Sequence, residues 1–247
     1  MSPLRESVFR LLLWCFLGTQ CVLGMELPTV AVVIDRYLES QGGANALNDL
    51  RSLKVVGEIT IESQGLEFEV SQQVVAPDKS FTEQDFPGLG LIREVLNGER
   101  GWEWHPITGE RPLEAHEIED KTQETDLQRD LRLFELYETI ELGEPEVIEG
   151  IETTQLVFTD FKGKTEQWFF KANGDLLQKI HTVSSGPDSV FESTDRFYDF
   201  QEIGRFRYPS RIKFINPSYV AELKITSCDI NLEIDPAVFE LPVLILE

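Results

Sequence analysis

Between Leu53 and Glu62 the side chains alternate in character, with Leu53, Val55, Gly57, Ile59 and Ile61 on one side and Lys54, Val56, Glu58, Thr60 and Glu62 on the other. A period of two is that of a β-strand with one wet face. The pattern resumes after Gly65, where Leu66, Phe68 and Val70 alternate with Glu67, Glu69 and Ser71, so two antiparallel strands are predicted here. Ala76-Pro77-Asp78 marks the next turn and Lys79 to Asp85 a third strand. Ile92 to Leu96 and Gly101 to His105 then form a hairpin about Asn97-Gly98.

Strand patterns return in the second half: Ile140 to Leu142, Glu146 to Glu149, Thr153 to Phe161, Glu166 to Lys171, Leu176 to Ser184, Val190 to Phe200, Tyr208 to Phe214 and Tyr219 to Leu232. Gly150, Gly186-Pro187 and Asn216-Pro217 punctuate them. The clearest pair flanks Asn173-Gly174, a dipeptide suited to the positive φ of tight hairpin loops. In its first arm Trp168 and Phe170 share a face with Glu166, while Phe169 takes the other face with Gln167 and Lys171. About ten or eleven strands exceed what a flat sheet carries comfortably, so the sheet is expected to curl into a barrel or half-barrel.

Helical spacing appears near the start and in the middle. Val30, Val33, Ile34, Tyr37 and Leu38 fall on one helical face after Pro28, ended by Gly42-Gly43, and a short second helix fits Ala44 to Leu50. From Leu113 to Glu138 the alternation stops, and Leu127, Leu131 and Phe134, with Leu133 and Tyr137, supply an apolar stripe in a charged segment. One or two amphipathic helices are predicted there. Asp235 to Phe239 reads as a single helical turn. The expected fold class is mainly β with helices: a curled antiparallel half-barrel whose concave face is covered by N-terminal and mid-chain helices.

Composition narrows the function. The 247 residues carry 44 acidic against 22 basic side chains, a net charge of -22, and such a field repels phosphate backbones and anionic membrane surfaces. Nucleic acid is therefore not an expected partner. Residues Met1 to Gly24 read as a secretory signal peptide, with Arg5 and Arg10 before an apolar Leu11 to Leu17 run and small residues near Val22 and Gly24. Residues 25–247 are then expected to form one domain, exported and monomeric. Cys15 and Cys21 leave with the leader, so Cys228 stands alone and an internal disulfide is not expected.

Catalytic patterns are not found. His105, His116 and His181 lack metal-ligand spacing, Ser184-Ser185-Gly186 lacks the flanks of a nucleophile elbow, and Gly88-Leu89-Gly90 lacks the lysine of a phosphate loop. Neither an enzyme activity nor a cofactor is expected. Large rings offer a binding feature instead: Trp102 and Trp104 share one face of their strand, Trp168 and Phe170 one face of theirs, and Phe68 and Phe134 are placed to join them. These six are the candidate ligand-binding residues, with a self-filled hydrophobic core as the competing explanation of the same stripe.

Several short stretches carry a family likeness: Val33-Ile34-Asp35-Arg36-Tyr37-Leu38 with Gln41-Gly42-Gly43 and Ala46-Leu47, Ser52 to Gly57, Asn97-Gly98-Glu99-Arg100-Gly101-Trp102, and Asn231 to Phe239. In these the chain resembles the outer-membrane lipoprotein-sorting proteins, relatives of the periplasmic lipoprotein carrier (LolA-like). The resemblance implies a periplasmic half-barrel whose apolar concave face takes up acyl chains of lipids or lipoproteins, exchanged with a membrane-associated donor or acceptor. The other expectation to be kept is a periplasmic interaction module with a filled core and an acidic docking surface.

Overall fold

A computed structural model describes residues 28–184 and 190–240. The expected signal peptide and the Gly186-Pro187 turn lie outside the described residues. The first elements among the described residues are α1 (Val30–Ser40) and α2 (Ala44–Asn48). Thr29, rather than Pro28, caps α1 by accepting the Val32 N–H at 3.4 Å, which satisfies one of the free donors of the first turn. At the other end the Gly43 N–H reaches the Leu38 carbonyl at 2.9 Å, with Gly42 and Gly43 both at positive φ, a conformation glycine adopts without steric cost.

The first strands are β1 (Ser52–Ile61), β2 (Leu66–Val75), β3 (Lys79–Phe86), β4 (Gly90–Asn97), β5 (Arg100–His105) and β6 (Gly109–Pro112). After the middle segment come β7 (Tyr137–Leu142), β8 (Val147–Ile148), β9 (Ile151–Glu152), β10 (Thr154–Asp160), β11 (Thr165–Phe170), β12 (Leu176–Ser184), β13 (Val190–Ile203), β14 (Phe206–Ile215) and β15 (Val220–Ile230). Thirteen of them form one antiparallel sheet in the order β6-β5-β4-β3-β2-β1-β15-β14-β13-β12-β11-β10-β7. The sheet curls into a half-barrel and is not closed. Short β6, which has no apolar alternation, is added to the strands that the pattern predicts, β7 extends the expected Ile140 to Leu142 strand back to Tyr137, which the helical stripe had claimed, and the expected Glu146 to Glu149 strand lies outside the main sheet in the β8-β9 pair.

This strand order dictates the lid. β6 and β7 are consecutive in the chain yet form the two opposite edges of the sheet, so the residues between them must pass from one rim of the half-barrel to the other. The crossover contains α3 (Ala115–Glu124), a 3-10 turn (Arg129–Arg132) and α4 (Leu133–Leu136). It touches the sheet along the way: Lys121 of α3 pairs with Glu94 of β4 at 2.9 Å, and Leu127 packs with Leu53, Val55 and Val74 of β1 and β2.

The face beneath this crossover can be followed by register. Pairing carries Leu53 to Val74, Ser80, Leu96 and Gly101 across β1 to β5. It carries Trp168 to Lys179, Asp195, Phe214 and Ala221 from the other side, and Ala221 packs with Ile61 of β1. Both halves therefore present one concave face. The opposite face is covered locally: the β8-β9 hairpin sets Ile148 against Phe169 and Leu177, and the Pro236–Phe239 turn, its Phe239 carbonyl accepting from the Asn97 amide at 3.0 Å, lies against β3 and β4.

Candidate functional site

Between the concave face and its helical cover lies a cavity of about 310 Å³. Leu53, Val74, Trp168, Leu176, Phe197 and Ile212 contribute from the sheet, and Tyr37, Leu47, Leu50 and Leu127 from the helices and crossover, with Gln41, Gln72, Glu124, Asp126, Asp130 and Lys179 adding polar groups to the wall, so the cavity is largely but not wholly apolar. The volume falls at the low end of the range of about 300 to 1,000 Å³ for small-molecule pockets. On one flank the space is already filled. Val33, Ile34 and Tyr37 of α1 pack with Leu133, Leu156, Phe158, Trp168 and Phe170, and the Phe158 and Trp168 ring centroids are 4.5 Å apart.

The crossover is fastened over this cavity by a largely buried polar cluster. The Tyr37 hydroxyl of α1 donates to the Asp130 carboxylate at 2.5 Å. Next to it Arg129 donates to the Tyr137 hydroxyl at 2.5 Å, and that hydroxyl donates to Glu166 Oε2 at 2.9 Å. The same Glu166 oxygen accepts from Trp168 Nε1 at 3.0 Å and lies 3.1 Å from Lys179 Nζ and 3.7 Å from Arg129. Arg129 and Lys179 also stand over the Trp168 ring, at 5.6 and 5.4 Å, so both cations meet a negative π face as well as a carboxylate. Gln128 Nε2 adds a 2.6 Å hydrogen bond, donated to the Leu50 carbonyl.

Electrostatics follow from this crowding. Burial opposes the ionisation of Glu166, but Lys179 and Arg129, with the Trp168 N–H, overcome it and pull its pKa down to about 2. Asp130 shifts the other way, upward, because burial outweighs the help of the Tyr37 hydroxyl and the Arg129 charge. Burial, reinforced by Asp130, raises Tyr37 well above the usual phenol range. Among the described residues no cluster of His, Cys, Asp and Glu is arranged to hold a metal ion.

Comparison of the whole fold with solved structures identifies its type. A DUF1329 family protein from Desulfovibrio piger superposes with a TM-score of 0.60 at 13% identity, over 87% of this chain and 98% of that one. A LolA superfamily protein from Nitrosomonas europaea gives 0.56 at 14% identity, over 87% and 99%. The fold is LolA-like. A putative outer membrane lipoprotein-sorting protein domain from Vibrio parahaemolyticus agrees, at 0.54 and 11% identity over 83% and 95%. No family model and no curated protein matches the sequence.

Within the LolA-like half-barrel the six candidate rings separate. Trp168 lines the cavity. Phe170 is buried beside it, 5.3 Å from the Tyr37 ring, in the filled flank. Phe68 lies on the same concave face but in another cluster, stacked on Phe86 at 4.0 Å with Ile61 and Ala221. The expected grouping of Trp102 and Trp104 with these rings is corrected by register: Trp102 pairs with Val95, Val95 with Phe81, Phe81 with Gln73 and Gln73 with Lys54. That row is the face opposite Leu53. Phe134 is also displaced from its expected position, being 62% exposed, because the change from 3-10 to α geometry at Leu133 gives the inward slot to Leu133. The pattern did not single out Tyr37, Leu50, Phe197 or Ile212 as cavity walls, nor Arg129, Asp130, Glu166 and Lys179 as the fastening.

Proposed function

We propose that this chain is an exported, non-enzymatic carrier, one domain over residues 25–247, that shelters acyl chains of lipids or lipoproteins beneath the edge-to-edge crossover. The observation that carries this reading is the position of the cavity: it lies under a connection that the strand order forces across the open side of the sheet, held there by the polar cluster together with Leu127, Leu131 and Leu133 packed on the clusters beneath. The polar part of that hold exchanges for water at modest cost when the cover lifts, and each acyl methylene brought out of water, worth about 0.8 kcal/mol, offsets the apolar contacts that the lifted cover gives up. Uptake and release are then an equilibrium. A membrane-associated donor or acceptor sets its direction, and the periplasm is the compartment proposed for it. The names of two structural neighbours, a LolA superfamily protein and a putative lipoprotein-sorting domain, are in keeping with this function.

The interaction-module reading draws support from one observation, the flank where α1 itself fills the concave face against Phe158, Trp168 and Phe170. Titration with a fluorescent polyene fatty acid separates the two. A carrier gives a saturable signal that a non-fluorescent fatty acid displaces; a filled module gives none.

A further inference from the structure

Arg129 forms part of the wall of two cavities. One is the apolar space already described; the other, about 320 Å³, lies on the far side of the Arg129, Tyr137 and Glu166 cluster, between α3, α4 and the β10-β11 turn. Its walls are of a different chemistry. Asp120 comes from α3, Glu135 from α4, and Asp160, Lys162 and Lys164 from the β10-β11 turn. Several of its charges are already committed: Lys162 pairs with Glu119 at 2.6 Å, Glu166 holds Lys179 and Arg129, and one Asp160 oxygen accepts the Lys162 and Lys164 backbone N–H groups at 2.8 Å each. Among the described residues this leaves Asp120 and Glu135, with Asp160 bonded only to backbone N–H groups, and one ammonium, Lys164, without an ion-pair partner.

A largely apolar chamber and a charged chamber that meet at the Arg129, Tyr137 and Glu166 cluster suit an amphiphile better than a bare hydrocarbon. Resting on the acyl-carrier reading, we propose that the second cavity is a headgroup subsite for a lipid with a zwitterionic head, its amine set against Asp120 and Glu135 and its phosphate against Lys164, while the acyl chain enters the apolar cavity past Arg129. The unpaired groups offer both signs that such a head needs, with the excess on the carboxylate side. A purely anionic head meets these uncompensated carboxylates, a repulsion that discriminates as effectively as the attraction. Arg129 serves as the movable partition: its guanidinium lies over Trp168 on the apolar side and bonds the Tyr137 hydroxyl on the polar side.

The test uses three single-chain probes of equal chain length, lauric acid, lauroyl-lysophosphatidylethanolamine and lauroyl-lysophosphatidylglycerol, each displacing a bound fluorescent fatty acid. The ethanolamine lipid is expected to bind about tenfold tighter than the glycerol lipid at low salt, with the gap closing as ionic strength rises. The double substitution Asp120→Asn and Glu135→Gln, at exposed positions, is expected to abolish that preference while leaving lauric acid affinity as it was. Equal binding of the two lysolipids, or a preference that survives the double substitution, overturns the headgroup subsite but not the acyl cavity. Failure of all three probes to bind overturns both.

Discussion

Tyr37 and Asp130, ninety-three positions apart in the chain, are joined by a 2.5 Å hydrogen bond. The bond ties the N-terminal helix to the crossover, two elements that reach the concave face by separate routes. Replacing Tyr37 by Phe leaves a buried carboxyl group without its donor, and an unmet buried polar group costs about 1 to 3 kcal/mol. Tyr37→Phe is expected to lower the urea midpoint accordingly and to speed proteolytic cleavage within 113–136, whereas Asp130→Asn, which keeps an acceptor for the hydroxyl, is expected to be milder on both measures.

Glu166 predicts an acid limb to stability. Its folded pKa of about 2 lies below the ordinary value of 4.5, so its contribution is present above about pH 4.5 and disappears as pH falls towards 2. The displacement corresponds to at most roughly 3 kcal/mol. Asp130 has the opposite sign: with its folded pKa raised above 3.8, what it adds is present below that pH and is lost as pH rises through the folded value. Denaturation between pH 2 and 5 is expected to show wild-type stability rising with pH. The Glu166→Gln variant is expected to be less stable at neutral pH, with the rise much reduced.

Gly174 closes the β11-β12 hairpin at φ +93°, and a Cβ there would sit 2.2 Å from the Arg36 carbonyl oxygen of α1. Gly174→Ala therefore combines left-handed strain with a backbone clash, at about 2 to 4 kcal/mol. Gly163, at φ +80° with nothing within 4 Å, isolates the strain alone, and Gly163→Ala is expected to cost about 1 kcal/mol. Thermal or urea unfolding of the pair measures the difference.

The two faces of the sheet give a contrast in binding. Ile212 lines the cavity, so Ile212→Trp is expected to fill it and to weaken fatty-acid affinity by about tenfold or more. Trp102 and Trp104 stand on the other face, and their replacement by Phe is expected to leave that affinity unchanged. Fluorescence displacement reads both.

Local structure was legible wherever one face of a strand is wet. The alternation in β1 and β2, the shared face of Trp168 and Phe170, the spacing in α1 and the curling of a many-stranded sheet all carried through to the folded chain. What failed was parity across turns. Ile92 to Leu96 is apolar on both sides, with Val95 and Leu96 both buried, so its pattern does not say which side is concave. The two-residue Gly98-Glu99 loop pairs Asn97 with Arg100, and that register alone sends Trp102 to the far face. The β11-β12 loop likewise spans Ala172 to Gly174, with Lys171 bonded to Asp175, rather than the two-residue form. Arg129 and Asp130 left no trace in the pattern, because they are charged residues in a charged segment. Their importance comes from β6 and β7 being opposite edges, a property of the whole sheet.

Acyl lipid in the native protein tests the central claim most directly. Chain purified from its native compartment without detergent is extracted with organic solvent, and the extract is analysed by mass spectrometry alongside the Ile212→Trp variant. The carrier account predicts acyl lipid in near-stoichiometric amount from the wild type and far less from the variant. Extracts free of lipid, from a protein that also gives no signal with the fluorescent fatty acid, would contradict it.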